Sequence, residues 1–501
     1  MSAVEIEVTL PSGQKYNQPT GLFINNEFVP ALSGKTLTSF DPSTGKAIID
    51  VHCAGTEDVD AAIAAARKSH LPSGEWRSMP VSDRVPLLLK LADLVEENID
   101  ILSAIECYDS GKPYHSNCTA DVQSVADYLR YCAGWADKLH GTQIPLNQFR
   151  MAITKRYPLV VGCIVPWNYP LSMSSWKFCP ALACGCSIVM KSSEITPLSL
   201  LYFAKLIKQA GFPVGVFNVL SGFGADVGSH MSTHTGLDKV AFTGSTLTGQ
   251  KVMSAASSNL KSVSLECGGK SPLIVFKDTD LEETVKWASF GVMYNTGQNC
   301  TANSRILVDE SIKDKFLSMY LEQVKKDWVM GNVFDEKTTL GPVVSKAQFD
   351  KVNSYIKIGV EEGATCHQPT KDLVPNEGYF IPPTIFSGVS EEMRIVKEEI
   401  FGPVVTISTF KTDDEEDALA KANDTIYGLA AMVFTKDFGR AHRVADRLEA
   451  GSVYINSSND EDMKVPFGGF KMSGYGRELG EEAIKLYTEV KSVYMNFGSK
   501  F

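Results

Sequence analysis

The chain has 501 residues, 44% of them apolar and 21% charged, which is material for about three packed units and excludes wholesale disorder. Lys and Arg number 48 against 59 Asp and Glu, a formal charge of −11. No basic field is present to meet nucleic acid or an anionic lipid surface, so neither is expected as a partner.

The first residues are acidic up to Lys15 and contain no Arg before Arg67. Neither a secretory signal nor a transit helix is read there, and the cytosol is the expected compartment. Residues 56–70 carry Val59, Ile63 and Ala66 on one side, and residues 81–110 carry a dense leucine pattern, so both stretches are predicted as helices. From Tyr157 to Trp176 there are twenty residues without a charge, the length of a spanning helix. Pro158, Pro166 and Pro170 interrupt that stretch and Asn168 is costly in lipid, so it reads as a buried strand followed by a turn.

Beyond that point short apolar runs alternate with helical segments: Val160–Val165, Ser187–Met190, Val216–Leu220, Val240–Phe242 and Ser271–Phe276. This alternation predicts crossover units and a parallel α/β sheet with ligands beyond the carboxyl ends of its strands. Thr196 is the expected cap of the helix after the second run, with Pro197 in its first turn, Leu200, Phe203, Ala204 and Ile207 as its stripe, and Gly211 as its stop. Thr243 to Gly249 is a run of small residues leading into a helix expected at Gln250–Ser257, either a tight turn or a phosphate cradle. Lys191 and Glu194 stand at another strand end, where a solvated ion pair is the plain reading.

No metal site is predicted: His230 and His234 have helical spacing but no HExxH pattern, and read as surface histidines. GxSxG and the Walker pattern are absent. The eleven cysteines are scattered without a CxxC pair and read as free thiols of a reducing compartment. Cys300, in a run of small and amide residues, is the best nucleophile among them, whereas Cys267 reads as packed. Glu266, between Leu265 and Cys267, is a carboxylate in apolar company and a candidate general base.

Six motifs, in order along the chain, together resemble the NAD(P)-dependent aldehyde dehydrogenase superfamily. They are Val165-Pro-Trp-Asn-Tyr-Pro170, Phe242-Thr-Gly-Ser-Thr246, Leu265-Glu-Cys-Gly-Gly-Lys-Ser-Pro272, Gly297-Gln-Asn-Cys300, Glu398-Glu-Ile-Phe-Gly-Pro403 and Pro466-Phe-Gly-Gly-Phe-Lys471. The resemblance implies Cys300 as the nucleophile toward an aldehyde carbonyl, Asn168 and the Cys300 N–H as oxyanion donors, and Glu266 as the base that hydrolyses the thioester. It implies NAD as cofactor, with Lys191 near the adenosine ribose, Gly244 and Ser245 at the pyrophosphate, and Glu398 with Phe401 at the nicotinamide ribose. Ile164, Val165, Pro166, Trp167, Gly224 and Phe242 complete the cofactor contacts, and Glu194 is expected to repel a 2′-phosphate and so favour NAD over NADP.

By the same resemblance Tyr169, Met173, Trp176 and Tyr294 line the substrate tunnel, with Asn459 and Glu461 from the segment Asn456–Asp462 at its mouth. That segment is acidic where relatives acting on small aldehydes carry an aromatic, and Ala120 and Ser124 are small. A wider tunnel with a carboxylate rim suits a cationic aminoaldehyde or betaine aldehyde, with a general aliphatic aldehyde as the alternative. Two other readings are a coenzyme A-acylating relative, which Glu266 argues against, and a non-enzymatic structural relative, which the presence of Cys300, Glu266 and Asn168 argues against. The implied architecture is an NAD-binding domain of Rossmann type from 1–134 and 158–268, an α/β catalytic domain over 269–478, and a small β region from 135–157 and 479–501 that joins subunits into a homodimer or homotetramer. The C-terminal Ser-Lys-Phe neighbours the peroxisomal Ser-Lys-Leu signal, which makes the peroxisomal matrix the alternative compartment.

Overall fold

A computed structural model describes residues 3–498; the C-terminal tripeptide with its candidate import signal lies outside the described residues. Helix α1 spans Thr56–Ser69 and buries Val59, Ala62, Ile63 and Ala66. The helix expected over 81–110 is two helices, α2 (Val81–Glu97) and α3 (Ile99–Ser110). They meet at Asn98, whose side-chain amide donates to Leu94 O at 2.8 Å and closes α2. The leucine pattern runs straight across this break, so its period gives no sign of it. Helix α4 (Thr119–Trp135) follows a single wide turn at Tyr114–Cys118.

Strand β1 is Val160–Ile164. The charge-free stretch then enters helix α5 (Pro170–Cys184) instead of ending in a turn. Pro170 opens that helix, since its missing N–H is one that the first turn leaves unpaired in any case. Strand β2 (Ser187–Lys191) leads to helix α6 (Leu198–Ala210), which Gly211 ends at φ +94°. Thr196 does not cap α6; its hydroxyl donates to Trp167 O at 3.5 Å, and the Leu198 N–H is taken instead by Asp109 at 3.0 Å. Strands β3 (Phe217–Leu220) and β4 (Lys239–Thr243) follow, then helix α7 over Thr246–Ala256. α7 starts four residues before the expected Gln250, because Ser245 Oγ accepts from Thr248 N–H and caps it there. Strand β5 is Ser262–Glu266.

Strands β5, β4, β1, β2 and β3 lie side by side in that order, all parallel, and the eight-stranded sheet is completed at one end by Leu22–Ile24 and Glu27–Val29 and at the other by Gly474–Tyr475. The last of these belongs to the span that the sequence reading assigns to the catalytic unit. The fifth predicted strand also changes place: β6 (Pro272–Val275) leaves this sheet for a second, seven-stranded one. There it pairs with β7 (Arg305–Asp309) and β9 (Ala430–Phe434), and β8 (Val404–Phe410) lies beyond β7. A third sheet joins Gln143–Asn147, Arg150–Pro158 and the tail strand Thr488–Asn496, whose outer edge has no partner strand among the described residues.

Both faces of the parallel strands are covered, and β1 is buried along its whole length. Gly162 in β1 has no room for a side chain, since a Cβ there would stand 2.6 Å from Leu237 Cδ1 and 3.2 Å from Met231 Cε. Gly162→Val is therefore expected to lower unfolding stability by about 1–3 kcal/mol, the usual range for overpacking; a urea midpoint equal to that of the parent chain would contradict this packing.

Candidate active site

The strand order reverses between β1 and β4, so the chain leaves the sheet in opposite directions there and opens a crevice beyond their carboxyl ends. Three cavities line this crevice. One of about 430 Å³ is bordered by Ile164, Gly224, Gly228, Phe242 and Thr248. A second of about 200 Å³ is bordered by Pro166, Trp167, Asn168, Gly244, Ser245, Gln348, Lys351, Glu399, Phe401 and Cys300. The third, about 490 Å³, is bordered by Tyr169, Met173, Trp176, Tyr294, Asn459, Glu461 and again Cys300. Of the eleven free cysteines only Cys300 and Cys366 are not buried; Cys267 borders the second cavity but is buried, and Cys300 alone borders both the second and the third.

The Cys300 loop is held by amides. Asn295 and Thr296 have φ of 50° and 56° and Gly297 has 69°, three left-handed residues in succession. At Gly297 glycine is required, since a Cβ would meet Gly402 O at 2.0 Å. Asn295 Nδ2 donates to Asn168 O at 2.9 Å and to Gln298 O at 3.2 Å, while Gln298 Oε1 accepts from Val344 N–H at 2.9 Å. Asn168 is buried, and its Nδ2 donates to Gln298 O at 2.9 Å. One N–H of that amide remains for a ligand oxygen beside Cys300.

Burial pushes the Cys300 thiol up, and the negative charges of Glu399, Glu266 and Glu461 push it further. Burial likewise holds the Glu266 carboxyl well above the usual range; the charge of Glu478 adds to this, and Lys177 and Arg477 oppose it. Glu478 is itself paired, accepting from Lys177 Nζ at 2.7 Å, while Lys177 also donates to Thr243 Oγ1 at 2.6 Å. Glu266 Oε2 is buried without a hydrogen-bond partner. Such a carboxyl can exchange a proton with water, although Glu266 itself borders none of the three cavities.

The sites expected for a cofactor are mostly brought together. Ile164, Gly224 and Phe242 share the first cavity; Pro166, Trp167, Gly244, Ser245 and Phe401 share the second. Lys191 is buried, donates to Glu194 at 3.1 Å, and lies with its stem beneath Gly228 of the first cavity, so the pair is not the solvated one expected. Val165 borders neither cavity; its N–H is bonded to Lys191 O at 3.2 Å. Glu398 points away from the crevice, into a two-point pair with Arg394 at 2.8 and 3.0 Å and a hydrogen bond from Tyr355 at 2.6 Å, its side chain 39% exposed. The carboxylate beside Phe401 is the next residue, Glu399, which accepts from Gly269 N–H at 2.9 Å. Two adjacent glutamates cannot be told apart by spacing, and only the alternation of the chain past Ile400 decides which one faces inward. Gln348 and Lys351, also missed in the sequence, reach the same cavity from the helix Lys346–Glu361. An elongated crevice with a helix N-terminus at Ser245, a buried lysine at 191 and small residues at 224 and 244 fits a dinucleotide.

All six residues expected at the substrate tunnel border the third cavity, and Ser124 does too, whereas Ala120 does not. Phe290, Phe467, Met463 and Asp121 join them. Glu461 reaches the cavity from the Asn456–Asp462 segment as an exposed side chain; desolvation against the cavity wall holds its carboxyl above the usual range, while a hydrogen bond from Tyr454 at 2.9 Å opposes the shift. His230 and His234 are not isolated histidines, because Asp60 from α1 lies 2.6 and 3.3 Å from their Nε2 atoms. Gly236 N–H donates to His234 Nδ1 at 2.8 Å, so the neutral ring carries its proton on Nε2 and offers Asp60 a donor there in place of a metal-binding lone pair.

The model of the aldehyde dehydrogenase family matches residues 28–493. An aldehyde dehydrogenase of Emericella nidulans is 51% identical, covering 97% of this chain and 96% of its own. Among solved structures, the NAD+ complex of aldehyde dehydrogenase from Bacillus cereus has a TM-score of 0.92 at 45% identity, covering 96% of this chain and 97% of that one. Betaine aldehyde dehydrogenase from Staphylococcus aureus in complex with NAD+ has a TM-score of 0.93 at 40% identity, covering 97% and 96%.

The charges around the thiol have a measurable sign. Glu399→Gln removes the strongest negative neighbour of Cys300, so the pH midpoint of Cys300 alkylation by iodoacetamide, followed by mass spectrometry, is expected to move to lower pH. A midpoint that stays or rises would show that Glu399 does not act on the thiol.

Proposed function

Because the chain belongs to the aldehyde dehydrogenase family, we propose that it oxidises an aldehyde to the carboxylic acid with NAD, through a covalent adduct on Cys300, and that cationic aldehydes are its preferred substrates. The observation that carries this reading is that one accessible thiol borders both the crevice beyond the sheet and the aromatic cavity. The two spaces share Cys300 and Met173 as walls, and of these only Cys300 carries a nucleophile.

Cys300 gives its thiol proton to water and adds as the thiolate to the aldehyde carbon, and the resulting oxyanion is met by Asn168 Nδ2 and the Cys300 N–H. Bound NAD supplies the hydride acceptor. Trp167, Glu399 and Phe401 would hold its nicotinamide end, and Ser245, Lys191 and Glu194 the remainder. Glu194, already partnered by Lys191, disfavours a 2′-phosphate. Once the adduct is a thioester, Glu266 takes a proton from water, the hydroxide attacks the acyl carbon, and the Cys300 sulfur leaves. Glu266 must be ionised to act. Since burial and Glu478 raise its carboxyl, the hydrolytic step gains rate as pH rises through that raised value.

The cationic preference rests on the third cavity. Tyr169, Trp176, Phe290, Tyr294 and Phe467 present aromatic rings, and no Lys or Arg is among the lining residues. Of its two carboxylates Asp121 is neutralised by Lys112, whereas Glu461 has Tyr454 but no cation among the described ion pairs. A cation entering beside Glu461 gains both a Coulomb and a cation–π contact. The open edge of Thr488–Asn496 supports a subunit contact in a homodimer or homotetramer.

Cys300→Ala is expected to abolish NADH formation, and the parent chain is expected to form NADH without coenzyme A; activity kept in the variant, or strict dependence on coenzyme A, would overturn the assigned chemistry. Glu461→Gln is expected to lower kcat/KM for amino- or trimethylammonium aldehydes about tenfold, near 1.4 kcal/mol, with uncharged aldehydes of equal length nearly unchanged. Equal losses for both classes would remove the cationic preference.

A further inference from the structure

Lys112 lies behind the wall of the aromatic cavity and touches neither Cys300 nor the space in front of it. Its side chain is 1% exposed. The ammonium sits against Asp121, 3.5 Å from Glu106 Oε1, and 4.1 Å from the centre of the Tyr169 ring. These three partners come from three places: Asp121 from α4, Glu106 from α3, and Tyr169 from the turn that leads into α5. Glu106 continues the connection, since its Oε2 accepts from Leu171 N–H at 3.2 Å in the first turn of α5. The turn from Asn168 to Leu171 is thus gripped on its outer side by one buried cation, directly through the Tyr169 ring and indirectly through Glu106. On its inner side Asn168 is fixed by Asn295 and Gln298.

Three buried charges are an expensive way to fill space, and a well-packed apolar cluster of equal volume is often as stable or more so. What the ionic cluster adds is direction. A carboxylate, an ammonium and an aromatic face have preferred geometries that an alkyl cluster lacks.

We propose that Lys112 is a positioning residue for the reaction, which sets the Asn168–Leu171 turn, and with it the oxyanion donor, through Tyr169 and Glu106. The inference rests on the reading that Cys300 and Asn168 carry out the acyl chemistry. Lys112 acts on the turn from behind, so its removal leaves the thiol in place and displaces the donor. A shift of about 1 Å at such a donor is enough to cost on the order of 10²-fold in rate. Because the oxyanion forms in the transition state, the loss falls on kcat more than on KM.

The test compares Lys112→Met, Glu106→Gln and the double variant in the full chain, with kcat expressed per Cys300 thiol that reacts with iodoacetamide. That normalisation removes any share of misfolded protein, which a merely structural role would change. Lys112→Met is expected to lower kcat per thiol about 10²-fold while KM for the aldehyde changes far less. The double variant is expected to be no worse than Lys112→Met, since both residues act on one turn. Losses that multiply, or a kcat per thiol within about threefold of the parent, would overturn the proposal. If Lys112→Met does not fold, Glu106→Gln alone decides: it keeps Lys112 on Tyr169 but weakens the hold on Leu171, so an unchanged kcat per thiol counts against the assignment. A parent chain that oxidises no aldehyde would refute the functional reading itself, whereas an active parent with an equally active Lys112→Met would refute only the role of Lys112.

Discussion

Three consecutive residues in the left-handed region, Asn295, Thr296 and Gly297, are the constraint around which the site is built. Two of them are not glycine, and such backbone persists only where its surroundings over-determine it. Here they do so with side-chain amides: Asn295 and Asn168 bond to each other's neighbourhood, Gln298 reaches Val344, and Thr296 donates to Gly341 O at 3.0 Å. The bonds that Asn168 makes with Asn295 and Gln298 cross from one sheet unit to the other, while those to Gly341 and Val344 tie the loop to its own unit. The loop that carries the thiol is therefore also a seam, and its strain is held by partners on both sides.

Around that seam the electrostatics are one-sided. Glu266, Glu399 and Glu461 all raise the thiol, and no cation among the described residues is in hydrogen-bond contact with the sulfur. Burial and these charges together favour the protonated form of the resting side chain, the form that reacts less readily with alkylating and oxidising agents. Any positive charge brought into the neighbouring cavities reverses part of that effect. The lysines nearby serve other ends: Lys177 answers Glu478, and Lys112 answers Asp121 and Glu106.

Four of the five parallel strands of the first sheet, the helix stop at Gly211, and the loop character of residues 295–300 were legible because each rests on local periodicity or on a residue with a fixed backbone preference. Cys300 and Glu266 could be singled out for the same reason, since an accessible thiol and a carboxyl in apolar company are visible one residue at a time. What escaped were features decided by long-range partners. The break at Asn98 lies inside an unbroken leucine pattern, and Thr196 lost its capping role to Asp109, distant in sequence. Glu399 could not be separated from Glu398 without knowing that Arg394 and Tyr355 claim the latter. Pro272–Val275 has the texture of its predecessors, and its place in another sheet is decided by its pairing with Arg305–Asp309 and Ala430–Phe434, which come later in the chain. Nor does spacing show that Asp60 joins the histidine pair, or that Lys112 stands behind Tyr169.

The nucleotide-side sheet is stitched from residues near 22–29, from 160–266, and from 474–475, and the tail strand closes on Arg150–Pro158 only at its very end. A ribosome making this chain therefore releases the first half of the protein with β5 lacking its outer neighbour and the 150–158 ribbon lacking its cover. Both stay open until some two hundred further residues have emerged. Unpaired strand edges of that kind invite association with other nascent chains. C-terminal truncation is therefore a more damaging lesion than its distance from the thiol suggests.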